Sequence, residues 1–125
     1  MRPSHVVANR RAHKPLVNKA FRALRSQGFV AKQRFMCCQG CALSEPELSE
    51  APGPYVFYHQ QDAEYFETGR GGKLMIRYGQ QKGDTRAVAR KVVAALKAAG
   101  VPCAWNGQTD RCIEVDLDAL AGAQS

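Results

Sequence analysis

Three of the chain's five cysteines fall within five positions, in Phe35-Met36-Cys37-Cys38-Gln39-Gly40-Cys41. Cys38 and Cys41 have the C-x-x-C spacing at which two thiolates grip one tetrahedral ion, and a structural zinc site needs four such ligands. No second C-x-x-C and no H-x-x-x-H accompanies them. A zinc set must therefore be completed by Cys37 or His59, with Asp62 beside them. The same spacing ahead of a helix start also suits redox chemistry, because a helix N-terminus favours the thiolate. The aromatic and proline residues that flank redox-active C-x-x-C motifs are absent. A third chemistry makes Cys38 a nucleophile, with His59 as its base and Asp62 or Gln61 orienting the imidazole. Against all three stands plain packing, since free cysteine is a small hydrophobe that fills tight corners.

Which of these is available depends on two strands. Residues 29–36 read as an extended run, with Phe29, Ala31 and Phe35 on one face and Gln33 interrupting it. Tyr55-Val56-Phe57-Tyr58-His59 is dense in β-branched and aromatic residues and is the clearest strand. An antiparallel pair would leave Cys38 and His59 at opposite ends, about 15 Å apart at roughly 3.3 Å per residue. A parallel pair would bring both to the carboxyl edge of the sheet, where ligands tend to bind. The intervening residues 37–54, with helical turns around Ala42, Leu43 and Leu48, are long for a hairpin and favour the parallel arrangement.

The remaining elements follow from periodicity. Pro15 suits a first helical turn, and Val17, Ala20, Phe21 and Leu24 repeat at helical spacing up to a stop at Gly28. Gln60–Thr68 reads as a short helix, and Lys73–Tyr78 as a strand with Leu74 and Ile76 opposed to Met75 and Arg77. Asp84 caps the best helix, whose apolar stripe is Val88, Val92, Ala95, Leu96 and Ala99, and Gly100 ends it. Two short strands, 102–105 and 112–117, close as a hairpin, with Trp105 as a core anchor. Cys103 and Cys112 fall opposite each other if Trp105 pairs with Asp110. The sum predicts an α+β, two-layer sandwich: about five strands in a mixed or antiparallel sheet with two main helices on it. The expected divisions are a flexible basic arm over 1–14, one domain over 15–120 and a frayed tail over 121–125.

Charge is unevenly placed. Of a net +7, residues 1–34 carry nine Lys or Arg and no acid, while the rest carry nine basic and eleven acidic residues. Such a block can hold nucleic acid or an acidic protein through Arg10, Arg11, Lys14, Lys19, Arg22 and Arg25. Aromatics are not interleaved with these cations, unlike in single-strand binders. No apolar run approaches the length of a membrane span, and no signal-peptide core follows the first residues. The expected compartment is the cytoplasm, where thiols stay reduced.

The cysteine segment, followed by Tyr55-Val56-Phe57-Tyr58-His59-Gln60-Gln61-Asp62, resembles an uncharacterised bacterial protein family built on a domain of unknown function. Its members pair C-C-x-x-C with Y-V-F-[YF]-H-x-Q-D and follow them with a basic amphipathic helix. The resemblance covers about residues 20 to 117 and implies that the cysteines and His59 form one unit, without naming an activity. The reading from sequence is a small cytoplasmic protein with a metal-binding or thiol-reactive pocket of Cys37, Cys38, Cys41, His59 and Asp62. Zinc is the candidate ion, and no complete catalytic set argues for an enzyme. The rivals are a nucleic-acid or acidic-partner module acting through the basic segment, and a non-catalytic interaction domain pairing as a homodimer through a strand edge.

Overall fold

The structure, a computed structural model, describes residues 3–36, 39–51, 53–68, 73–80, 83–109 and 111–117, with the backbone alone for 3–9 and 39. Helix α1 spans Pro3–Ser26 and is followed by β1 (Val30–Lys32), then the short helices α2 (Gln39–Ser44) and α3 (Pro46–Ser49). Strand β2 (Tyr55–Phe57), α4 (Gln60–Glu67), β3 (Leu74–Gly79), α5 (Thr85–Ala98), β4 (Cys103–Ala104) and β5 (Ile113–Val115) complete it. The sheet order is β1-β2-β3-β5-β4, with β1 and β2 parallel and every other pair antiparallel. The fold is α+β, with a five-stranded mixed sheet, as the sequence predicts.

Strand alternation divides the sheet into two faces. Ala31, Val56, Tyr58, Leu74, Ile76, Ile113 and Val115 point into the main core, where Val17, Phe21 and Leu24 of α1 and Val88, Val92 and Leu96 of α5 meet them. Phe57 points the other way and is buried with Ala42 of α2 and Leu48 of α3, while Val30, Phe35 and Tyr55 pack around them. The second face is thus covered over β1 and β2, and Met75, Arg77, Cys112 and Glu114 occupy its remainder.

Both long helices end alike. After α1 the Phe29 N–H reaches the Leu24 carbonyl at 3.0 Å, and after α5 the Val101 N–H reaches the Leu96 carbonyl at 2.9 Å. Gly28 (φ +94°) and Gly100 (φ +84°) supply the left-handed residue that each closure requires. At its start α5 is capped by Asp84, whose side chain accepts from the Arg86 N–H at 2.9 Å.

Three expectations change. Pro15 lies inside α1 instead of opening it, and residues 3–14, expected as a loose arm, continue the helix. Tertiary contact overrides the proline: the buried Arg10 guanidinium donates to the Phe66 carbonyl and stacks 4.3 Å from that ring. Lys14 adds an ion pair to Glu67 at 3.5 Å. The strand expected over 29–36 stops at Lys32, where Gln33 turns away to donate to Asn18 (2.7 Å) and the Tyr58 hydroxyl (3.1 Å). The C-terminal hairpin pairs Cys103 with Val115, not with Cys112. Cys103 packs against the main core, so Cys112 lies on the other face and the two cannot bridge. Strands β1 and β4, the sheet's edges, are three and two residues long, which gives edge-to-edge pairing little ladder to build on.

Candidate functional site

Chain direction explains what gathers at the end of β2. Because β1 runs parallel to it, both strands deliver their C-terminal residues to one edge, and the Gln60 N–H donates to the Met36 carbonyl at 2.9 Å. The cysteine segment therefore begins one residue beyond a direct bond to the first turn of α4. Cys37 and Cys38 lie outside the described residues, and Cys41 is exposed on α2. Among the described residues no group of three or more His, Cys, Asp or Glu side chains is arranged to hold a metal ion.

His59 and Asp62 have a different task from the one their types suggest. His59 is the N-cap of α4, and its Nδ1 accepts from the Asp62 N–H at 3.2 Å. In return the Asp62 carboxylate accepts from the His59 N–H at 3.3 Å, and Nε2 lies 3.2 Å from the same Oδ2. The pair forms a reciprocal capping box that satisfies two of the helix's orphan donors. Burial pushes the His59 pKa down, with Arg77 acting in the same direction and Asp62 against it. The imidazole is neutral and its Nδ1 is an acceptor, as the cap requires.

Asp62 also reaches across to β3. Its Oδ2 accepts from Arg77 Nε at 3.1 Å and its Oδ1 from Nη2 at 3.2 Å. This fork-to-fork geometry fixes the plane of the guanidinium as a lysine could not. The third nitrogen, Nη1, donates to Cys112 Sγ at 3.4 Å. His59, Asp62, Arg77 and Cys112 form one polar chain, running from the start of α4 through β3 to the residue before β5. Burial pushes the Cys112 thiol up, Arg77 pulls it down, and Asp62 and Glu114 push it up again.

This chain ends in a hollow on the sheet's second face. A cavity of about 220 Å³ is lined by Leu43, Tyr55, Phe57 and Tyr78, with Arg77, Thr109, Arg111 and Cys112 as its other polar residues. A second depression of about 460 Å³ adjoins it and shares Arg111 and Cys112. Gly79 has a specific reason to be there: a Cβ would lie 2.5 Å from the Tyr55 hydroxyl, so the ring rests directly on the glycine backbone. The loop carrying Arg111 is tied down by the Tyr78 hydroxyl, whose one hydrogen is within reach of the Arg111 carbonyl at 2.8 Å and the Gln108 carbonyl at 3.2 Å. Trp105 Nε1 donates to the same Gln108 carbonyl at 3.0 Å.

The cations expected to contact nucleic acid are divided. Arg10 is turned inward onto Phe66, Lys14 pairs with Glu67, and Arg25 donates twice to the Ala31 carbonyl at 3.1 and 2.9 Å. Arg11, Lys19 and Arg22 remain exposed. The sequence reading missed Arg77, Cys112 and Arg111. Its one available signal was Arg77 itself, a cation on the alternate face of a strand with a buried partner face.

No curated protein and no solved structure matches the chain. Residues 16–119, which contain both the capping pair and the cavity, match the family model for a domain of unknown function, DUF6891, and the chain belongs to that family.

Proposed function

We propose that this domain binds a small organic anion with a flat apolar body in the cavity of the sheet's second face. Arg77 and Arg111 contact the anionic group, Tyr55 and Phe57 embrace the apolar part, and the Cys112 thiol faces the ligand. His59 and Asp62 are positioning residues that hold Arg77 in plane. The observation that carries this reading is the two-pronged Asp62–Arg77 bond, which spends two guanidinium nitrogens on orientation and aims the third at the cavity's cysteine. A hollow lined about equally by polar and apolar groups, with one guanidinium fixed in place, suits a small anion that carries an apolar body. With benzoate as the probe, the full chain is expected to gain thermal stability, and Cys112 to be alkylated more slowly. Arg111→Ala should abolish both effects. A benzoate-insensitive protein, or undiminished protection in Arg111→Ala, would overturn the reading.

A second reading keeps the cysteine segment as a zinc or thiol-reactive site of Cys37, Cys38 and Cys41, set in a reducing bacterial cytoplasm. The Met36–Gln60 bond favours it, because the segment starts beside the capping pair. His59 can join such a site only by surrendering the Asp62 N–H, so the thiols carry it. About one zinc per chain in protein purified without a metal-affinity tag, with three thiols shielded until denaturation, is the supporting result. No metal together with five slow thiols would defeat it.

A further inference from the structure

Helices α1 and α5 pack directly against each other on the sheet's core face, and together they present one outer surface. Neither helix contains an acidic residue. Arg11, Lys19 and Arg22 on α1 are exposed, as are Arg90, Lys91 and Lys97 on α5. None of these six is paired with a carboxylate among the described residues. Between the helices runs a groove of about 350 Å³ floored by Ala20, Ala23, Ala94 and Ala98, with Lys19 and Lys91 at its sides. Among the described residues the acids lie on or beside α3, α4 and β5, apart from Asp84 at the N-cap of α5.

We infer that α1 and α5 together form a docking face for duplex DNA, held through its phosphate backbone. The inference is independent of the anion cavity, which lies on the opposite face of the sheet. Charge complementarity selects a polyanion, since acid-free helices of 24 and 14 residues lie side by side. The chemistry of the face narrows the choice further. It offers no exposed aromatic on either helix for base stacking, which single strands would use. Between its cations stand mostly alanines (Ala12, Ala23, Ala94 and Ala98 are exposed), and Gln27 is the one uncharged polar residue lining the groove, which leaves little to read 2′-hydroxyls in duplex RNA. Arg11 and Arg22 are about 16 Å apart along the axis at roughly 1.5 Å per residue. That spacing lets several phosphates be met without entering a groove, so binding is indifferent to sequence.

The test uses the full chain and a 20-base-pair DNA duplex of arbitrary sequence. If six cations each neutralise one phosphate, log K falls with log salt at a slope of about −5, a loss of about a thousandfold between 50 and 200 mM salt. The triple variant Arg90→Gln, Lys91→Gln, Lys97→Gln should keep the fold, because all three side chains are exposed. It should also flatten the slope by about 2 to 3. Benzoate should leave DNA affinity unchanged, which separates this face from the cavity. The inference is overturned by no binding at 50 mM salt, or by a slope the triple variant does not change. Equal binding of duplex RNA or of polyglutamate would overturn it as well.

Discussion

Asp62 holds Arg77 by both carboxylate oxygens, at 3.1 and 3.2 Å, while its own backbone N–H donates to the ring of His59. One buried carboxylate therefore starts a helix and orients a guanidinium on a neighbouring strand. Asp62→Ala breaks both at once and takes the carboxylate away from the half-buried Arg77. The expected loss is about 2–4 kcal/mol, read as a lower urea midpoint at pH 7. Adding Arg77→Gln to Asp62→Ala should cost little more, because the two act as a unit. Additive losses would show that they do not.

His59 makes stability depend on pH in a stated direction. Its folded pKa lies below the ordinary value of about 6.5, so the folded state favours the neutral ring. That contribution is complete above the unfolded pKa and is lost as pH falls from there through the folded pKa. The charged groups facing the ring are Asp62 and Arg77. The protein should lose stability as pH falls below about 6.5, and His59→Asn, which can still cap, should flatten that slope. An unchanged slope in the variant would assign the titration elsewhere.

Gly79→Ala tests the seat of the Tyr55 ring. The new Cβ would lie 2.5 Å from Tyr55 Oη and 2.8 Å from Cζ, so the ring must leave its place. A loss of about 1–3 kcal/mol is expected, together with loss of benzoate protection at Cys112. In a Tyr55→Ala background the same substitution should cost almost nothing in stability, as a double-mutant cycle would record.

Arg10→Ala removes the anchor of the first half of α1. Without the Phe66 carbonyl and ring, Pro15 is left to break the helix at a cost near 3 kcal/mol. Amide exchange of residues 10–14 should accelerate far more than that of residues 17–24. Equal protection in both halves would mean that the helix before Pro15 stands without Arg10.

What could be read from the sequence was local or set by chain length. The α5 helix announced itself through Asp84, its apolar stripe and Gly100, and the 18-residue span between the first two strands favoured the parallel pair that is present. Contacts between distant residues were not legible. Arg10 meets Phe66 across 56 positions, and Arg77 meets Cys112 across 35. Neither pairing leaves a trace in spacing. His59 and Asp62 looked like reactive groups because their types allow it. Their i, i+3 spacing at a helix start was also the signature of a capping box, and that is the role their geometry shows.

The order of the strands bears on how the chain is made. β5 follows β4 in sequence yet lies between β3 and β4. As the polypeptide leaves the ribosome, β4 emerges before it has any strand to pair with, and β3 carries an open edge until residues 113–115 arrive. Cys112 comes with β5, so the cavity closes only once that strand has emerged. Until then β3 is the segment most open to mispairing with another nascent chain.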